Sequence, residues 1–407
     1  MAAKVIFFPV GNGGMSLIQL ESGRTILIDT NIREPGDDVR DVAADLRARL
    51  NVDSSGRPYV DAMLVSHPDQ DHCRGLTQHF HLEALADYKQ PKSGESAKIV
   101  IREMWSSPMV FRRMPSDQKL CADAEAWRKE ARRRVNLYKE THRFLAGDHI
   151  HIMGEDADGK TDNILEIVVE AGKTITTING VEDSTFRGRL LAPKGKGTDE
   201  EEELRSKNHS SVIIRFSIAH KEKLHACRFL SGGDAMVTIW ERIWADHSAD
   251  TSKIDYNLLD SPHHCSWHSL SHDSWGDLGE KAKVSKNARN ALGQARPGAY
   301  IVASSKPIKD DKDDPPCIRA KREYESILAP AKGTFVNTAV HGSKDNPVPM
   351  EFEVTADGPK LLEPQTDTSN EARKAASLLR TPAKASVPAG LGFPPRPITP
   401  TKPAGFA

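Results

Sequence analysis

"YVDAMLVSHPDQDHCRG", residues 59–75, is the stretch whose reading decides the fold. Its first half is a run of apolar and β-branched residues that predicts a strand. At the end of that strand His67, Asp69, Asp71 and His72 stand within six positions, where nothing structural asks for them. Imidazole and carboxylate together are the donors that borderline divalent cations such as zinc or manganese take. In an extended segment residues 67, 69 and 71 project to one side and 72 to the other as the loop begins, so the loop is expected to clamp two ions. Two further groups repeat the pattern of apolar run followed by ligand-type residues: Asp234 in "LSGGDA", and His263 and His264 in "LDSPHHCS". All three are expected to meet along one edge of a sheet sandwich.

Working outward, "KVIFFPV", "MSLIQL" and "RTILID" read as three short strands joined by the turns "GNGG" and "ESG", a β-meander. "DDVRDVAADLRARL" (37–50) spaces its apolar residues as an amphipathic helix does. Residues 86–146 read as an insertion holding a strand, "AKIVIREMW", and a helix around "CADAEAWRKEARRRVNLYKETHRFL". Between Arg102 and Arg143 there are eleven Lys and Arg against six Asp and Glu. This local basic excess is either a solvated helix face or a surface for substrate phosphates, with Arg132, Arg133 and Arg134 at its centre. Strand-like runs continue from "HIHIMG" and "ILEIVVE" to "AYIVASS" and "MEFEVT", interrupted by a charged loop, "KGKGTDEEEELRSKN", and a helix, "MVTIWERIW". The domain is therefore expected over 1–361. Residues 362–407 are rich in proline and small side chains without an apolar period, which predicts a disordered, dispensable tail able to recruit partner proteins.

Composition narrows the class. A net charge of −1 over 407 residues argues against a globally basic nucleic-acid binder, so any phosphate-binding patch must be local. No apolar run approaches the roughly 18 residues of a membrane span, and the N-terminal apolar stretch is broken too early by Pro9 and Gly11 for a secretory signal. Five cysteines without a CxxC spacing indicate neither a disulfide framework nor a thiolate zinc site. The expectation is a cytoplasmic globular protein with no membrane partner.

The HxDxDH pattern after a strand, preceded by "VGNGGMSLIQLESGRTILIDT", resembles the metallo-β-lactamase superfamily, whose usual motif is HxHxDH; Asp69 replaces the middle histidine. With Asn208 and Ser211 in "NHSSVIIRF", "SGGD" and "HHCS", the chain resembles the soluble hydrolase domain of the competence DNA-uptake family (ComEC type) over about residues 4–360, outside the insertion and tail. The resemblance implies a four-layer αββα sandwich of the α+β class and two divalent metal ions. It places His67 and Asp69 on one ion, Asp71 and His72 on the other, and Asp234 between them. One of His263 and His264 would complete the second site. The other would orient a phosphate or the attacking water, or protonate the leaving group. Asp71 is the implied proton acceptor, Asp29 a brace for the metal loop, and His209 a candidate third ligand of the first site, with a surface role equally open. Cys265, where the family has glycine, is a packing residue or an extra soft ligand, and Gly14 stands where the family often has aspartate. His268 and Cys73 are read as supporting or structural. The implied activity is a metal-dependent hydrolase, phosphodiesterase- or nuclease-like, using a metal-bound hydroxide on a nucleic acid or nucleotide. The alternatives are hydrolysis of a small ester, lactone or thioester, and a catalytically degenerate binding or sensing module.

Overall fold

The structure is a computed structural model, and it describes residues 2–36, 39–108, 119–154, 161–194 and 211–364. Asn208, His209, most of the charged loop before them and the tail from 365 onward lie outside the described residues.

Two sheets carry the fold. The first takes β1 (Lys4–Phe7), β2 (Ser16–Gln19), β3 (Thr25–Ile28), β4 (Pro58–Val65), β5 (Ile99–Ser106), β6 (His149–Met153) and β7 (Val168–Val169). The second takes β8 (Thr174–Ile175), β9 (Phe186–Ala192), β10 (Ile213–His220), β11 (Lys223–Ser231), β12 (Tyr256–Asp260), β13 (Ala295–Ala303) and β14 (Thr334–Asn337). The chain then returns to the first sheet with β15 (Met350–Thr355) and β16 (Gly358–Leu361), giving the orders β7-β6-β5-β4-β3-β2-β1-β15-β16 and β8-β9-β10-β11-β12-β13-β14. The first three strands form the expected antiparallel meander.

Period-two alternation sends each strand's apolar residues to both faces. Val5, Phe7, Ile18, Ile26 and Leu64 of the first sheet meet Phe186, Ile214, Phe216, Phe229 and Leu258 of the second in a buried layer between the sheets. There Trp105 and Phe216 stack with centroids 6.4 Å apart. Burying one side chain of this size contributes about 1.5–3 kcal/mol, so this layer is a main stabiliser. The opposite faces are covered by helices. α1 (Val42–Arg47), the loop turn α2 (Gln70–Cys73) and α3 (Ala122–Thr141) cover the first sheet. α4 (Val237–His247), α5 (Lys286–Leu292) and α6 (Ile318–Leu328) cover the second. The result is the αββα sandwich that the sequence implies.

Residues 86–146, expected as an insertion, supply β5, which pairs in parallel with both β4 and β6. They also supply α3, whose Trp127, Ala131 and Val135 fill the outer core. The arginine triplet is corrected by this placement. Arg134 is buried in the apolar stripe, held by Glu130 at 2.7 Å and by the carbonyls of His149 and Ile101 at 3.0 Å each. Arg133 pairs with Glu130 at 2.7 Å and with Asp148. Ile101 lies five residues before the end of β5, which at about 3.3 Å per residue puts the triplet's anchor about 16 Å from the strand ends that carry the ligand-type residues. A second difference concerns "ILEIVVE": residues Asp162–Ile167 form a 3₁₀ segment, and only Val168–Val169 joins the sheet.

Candidate metal centre

In the parallel parts of both sheets the strands end at one edge, the usual place for a ligand site in such sheets. Val65 at the end of β4 is followed by the HxDxDH loop, Ser231 at the end of β11 by Gly232, Gly233 and Asp234, and Asp260 at the end of β12 by the His263–His264 turn. Val212 N donates to Ser66 O at 3.0 Å and ties the two sheets together here. Asp234 N donates to Ser211 Oγ at 3.3 Å, and His263 N donates to Gly233 O at 2.9 Å. The ligand-bearing loops thus hold one another.

The loop is not extended throughout, as its alternation had suggested. It turns into α2 at Gln70, so Asp71 and His72 project together, apart from His67 and Asp69. Asp234, buried, divides the cluster. Its Oδ1 lies 3.0 Å from His72 Nε2 and 3.4 Å from His264 Nε2, and His264 Nε2 is 3.4 Å from Asp71 Oδ2. Its Oδ2 lies 3.6 Å from His67 Nε2 and 3.6 Å from His263 Nε2, and His67 Nε2 is 3.5 Å from Asp69 Oδ2. One carboxylate therefore faces two donor sets, one with each oxygen. In the second set the ligand atoms of Asp71, His72, Asp234 and His264 all lie within 4.8 Å of one another.

The histidines are oriented for coordination. His72 Nδ1 is 2.8 Å from Asp29 Oδ2, His67 Nδ1 is 3.1 Å from Ser66 Oγ, and His264 Nδ1 is 3.1 Å from the Ser304 carbonyl. For His72 and His67 a proton held at Nδ1 leaves the Nε2 lone pair aimed at Asp234, the arrangement that metal-binding imidazoles use, whereas His264 Nδ1 faces both the Ser304 carbonyl and the Gly13 N–H. His67 Nε2 is buried without a hydrogen-bond partner, and such atoms are rare unless something else meets them. The residues of the second set fit a divalent cation.

Asp29 stands where the resemblance implies a brace for the loop. Its left-handed backbone (φ +57°) is fixed by its N–H to Leu64 O at 2.8 Å, and its carboxylate accepts from Ser66 N at 2.6 Å and Ser66 Oγ at 2.7 Å. Gly14 explains itself here: a Cβ at that position would come within 2.8 Å of His72 Nδ1 and 2.9 Å of Asp29 Oδ2. His263, His264 and Cys265 are consecutive non-glycine residues with φ of +50°, +54° and +69°, a costly backbone of the kind found where a site demands it. Cys265 turns away from the cluster toward the Cys317 carbonyl at 4.0 Å, within the outer core of the second sheet. Cys73 donates to the Asp69 carbonyl at 3.1 Å, and its Sγ is 3.5 Å from Cys121 Sγ. His268 Nε2 lies 3.9 Å from Asp314, apart from both sets.

Electrostatics follow from burial of opposite charges. Burial alone would raise Asp234, but the imidazoles of His72, His264 and His67 outweigh it and hold the carboxyl well below its usual range. Against the same burial, Asp234 raises His72 and His67 and, with Asp71, pushes His264 up to about 9. Burial opposes the charge of Asp71 too, and His264 and His72 overcome it, so its carboxyl sits well below the ordinary value. His263 moves the other way, lowered chiefly by burial. Without a cation, protons hold this cluster together; a cation at the Nε2 atoms would replace them.

Neither a protein-family model nor a curated protein matches the chain. Among solved structures, the unliganded crystal structure of yeast PDE1 is similar at 11% identity and a TM-score of 0.37, covering 83% of this chain and 98% of that one. Among the described residues, no helix is long and apolar enough to cross a membrane.

Sequence reading missed Ser304, whose carbonyl orients His264, and Gly13, whose N–H lies 3.1 Å from the same Nδ1. The "GNGG" turn was legible as a turn, but nothing in it marks a contact 251 positions away.

Proposed function

We propose that this chain is a cytoplasmic metal-dependent hydrolase of the metallo-β-lactamase type, with a phosphodiester in a nucleic acid or nucleotide as substrate. The observation that carries the reading is Asp234, whose two carboxylate oxygens face two donor sets. His67, Asp69 and His263 would hold one cation, and Asp71, His72 and His264 the other, with Asp234 shared; zinc is the first choice and manganese the second. Such a pair supplies Lewis acidity that makes water a nucleophile near neutral pH and offsets charge developing on a phosphoryl group.

The chain's own residues do the rest. Asp29 and Ser66 hold Nδ1 of His72 and His67, so these two Nε2 atoms are ready before substrate arrives. Asp71, the half-exposed member of its set, is the carboxylate that an entering water meets, and it orients that water and accepts its proton. Both histidines of the 263–264 pair are engaged with Asp234, which favours ligand roles over a leaving-group acid. The resemblance of the motif set to the DNA-uptake hydrolase domain supports the phosphodiester.

The test is metal analysis of the full chain combined with turnover of bis-p-nitrophenyl phosphate, DNA and RNA. Two cations per chain with phosphodiester hydrolysis is the expected result. Cleavage of carboxylic esters or thioesters alone would move the substrate class. Two bound cations without any hydrolysis would make the protein a binding module.

A further inference from the structure

Most arginines here end on an acceptor: Arg49 on Glu351 at 2.8 Å, Arg134 on Glu130, Arg215 on the carbonyls of Ser252 and Lys253. Arg33 and Arg74 are exceptions. Both are half-buried, and among the described residues neither guanidinium meets a carboxylate, a carbonyl or a ring. Leaving two such groups partly desolvated and unpaired costs stability.

Their position gives the reason. Arg74 follows His72 by two residues, and its carbonyl accepts from Ile32 N at 3.1 Å, which sets Arg33 beside it. Burial and the neighbouring guanidinium both lower Arg33 from its ordinary value. A Cβ on Gly11 would lie 3.5 Å from Arg33 Nη2 and 3.9 Å from Lys306 Cγ, so a third cation joins them. Lys306, exposed and without an acid partner among the described residues, is anchored by its N–H to Asn12 Oδ1 at 2.9 Å. The turn that Arg33 and Lys306 flank is the one whose Gly13 N–H approaches His264 and whose Gly14 N–H donates to the Asp71 carbonyl at 3.1 Å. Arg74 follows His72 by two residues, so with consecutive Cα atoms ~3.8 Å apart their Cα atoms are at most ~7.6 Å apart. A cleft of about 950 Å³ opens beside Lys306; its walls include Lys309, Phe335 and Lys344, and also Asp311 and Asp313.

We infer that Arg33, Arg74 and Lys306 form an anion subsite that takes a second phosphate of the substrate, adjoining the phosphodiester at the metal centre. The inference rests on the hydrolase reading and narrows it. A substrate would be an oligonucleotide or a nucleotide with a further phosphate, rather than an isolated diester. Guanidinium groups suit this because they bind phosphate in a bidentate manner.

The test is equilibrium binding, by titration calorimetry of the metal-loaded full chain, of three thymidine dinucleotides joined by a non-hydrolysable phosphonate. One carries a 5′-phosphate, one a 3′-phosphate and one neither. The wild type should prefer one phosphorylated form over the bare form about tenfold. The Arg33→Ala/Arg74→Ala variant should lose that preference. Should the double variant misfold, Lys306→Glu at an exposed position should still reduce the preference severalfold. Equal affinity of the wild type for all three, or a preference that survives both variants, would overturn the subsite. Turnover of the natural diesters separates the two readings. Hydrolysis without preference removes the subsite and keeps the hydrolase; preference without hydrolysis keeps the subsite and removes the hydrolase.

Discussion

Two buried clusters of charge lie toward opposite ends of the parallel strands of the first sheet. Toward the N-terminal ends, Glu130 binds both Arg133 and Arg134, Arg133 also meets Asp148, and Arg134 fills its remaining bonds with two carbonyls. Beyond the C-terminal ends, His67 Nε2 is equally buried and has no hydrogen-bond partner, its nearest carboxylate oxygens lying 3.5 and 3.6 Å away. The difference lies in completeness. A buried network whose atoms are all satisfied stabilises one arrangement of helix and sheet and can do little else. One that points several lone pairs at a common space is organised around a ligand.

Removing the shared carboxylate separates the two clusters most widely. Asp234→Ala should release both cations and lower phosphodiester turnover by on the order of 10³-fold, since metal charge stabilisation is worth several kcal/mol. Turnover assays with metal analysis check this, and retained cations would place the ions elsewhere. The matching change in the satisfied cluster, Glu130→Ala, should instead lower unfolding free energy by about 3–5 kcal/mol, because it strands buried Arg134. Urea unfolding measures that loss, and the folded fraction should still carry two cations.

A smaller effect is expected at the brace. Asp29→Asn keeps the hydrogen bonds to Ser66 within reach but weakens the hold on His72 Nδ1. Cation affinity should fall ~10–100-fold, as for other groups that orient a metal-binding histidine. Unchanged affinity in a metal titration would make Asp29 a purely structural residue.

How much of this was legible in the sequence follows from the same contrast. Strands ending in ligand-type residues announce themselves, because His67, Asp69, Asp71, His72, Asp234 and the His263–His264 pair have no other reason to follow apolar runs. The assignment of His263 and His264 to different oxygens of Asp234 was not legible. It depends on three left-handed residues in a row, a backbone that the sequence "PHHC" does not signal. The arginine triplet misled because a run of charge says nothing about direction. The helical period was the available signal: Trp127, Ala131, Val135 and Tyr138 mark the buried stripe of α3, and Arg134 falls within it, four residues after Glu130. Strand β5 was legible as a strand, whereas its place between β4 and β6 is a matter of long-range pairing.

The smallest expected effect comes from buried Glu103 and partly exposed His151, 3.0 Å apart, with Trp105 Nε1 donating to the same carboxylate. Burial opposes both charges, and their mutual bond wins, lowering Glu103 from its ordinary 4.5 and raising His151 from its ordinary 6.5. The glutamate's contribution is present above about 4.5 and is lost as pH falls through its lowered folded value. The histidine's is complete below about 6.5 and is lost as pH rises through its raised folded value. Urea midpoints of wild type and Glu103→Gln should therefore differ most between about pH 4.5 and 6.5 and converge on either side. A difference that does not change with pH would show that the pair does not titrate as argued.

The central claim, two cations on opposite oxygens of Asp234, is tested most directly by counting metal in the full chain by inductively coupled plasma mass spectrometry, before and after His263→Ala. The account predicts two ions per chain in the wild type and one in the variant, because the first donor set loses a ligand while Asp71, His72 and His264 keep theirs. One ion or none in the wild type, or two that persist in the variant, would contradict it.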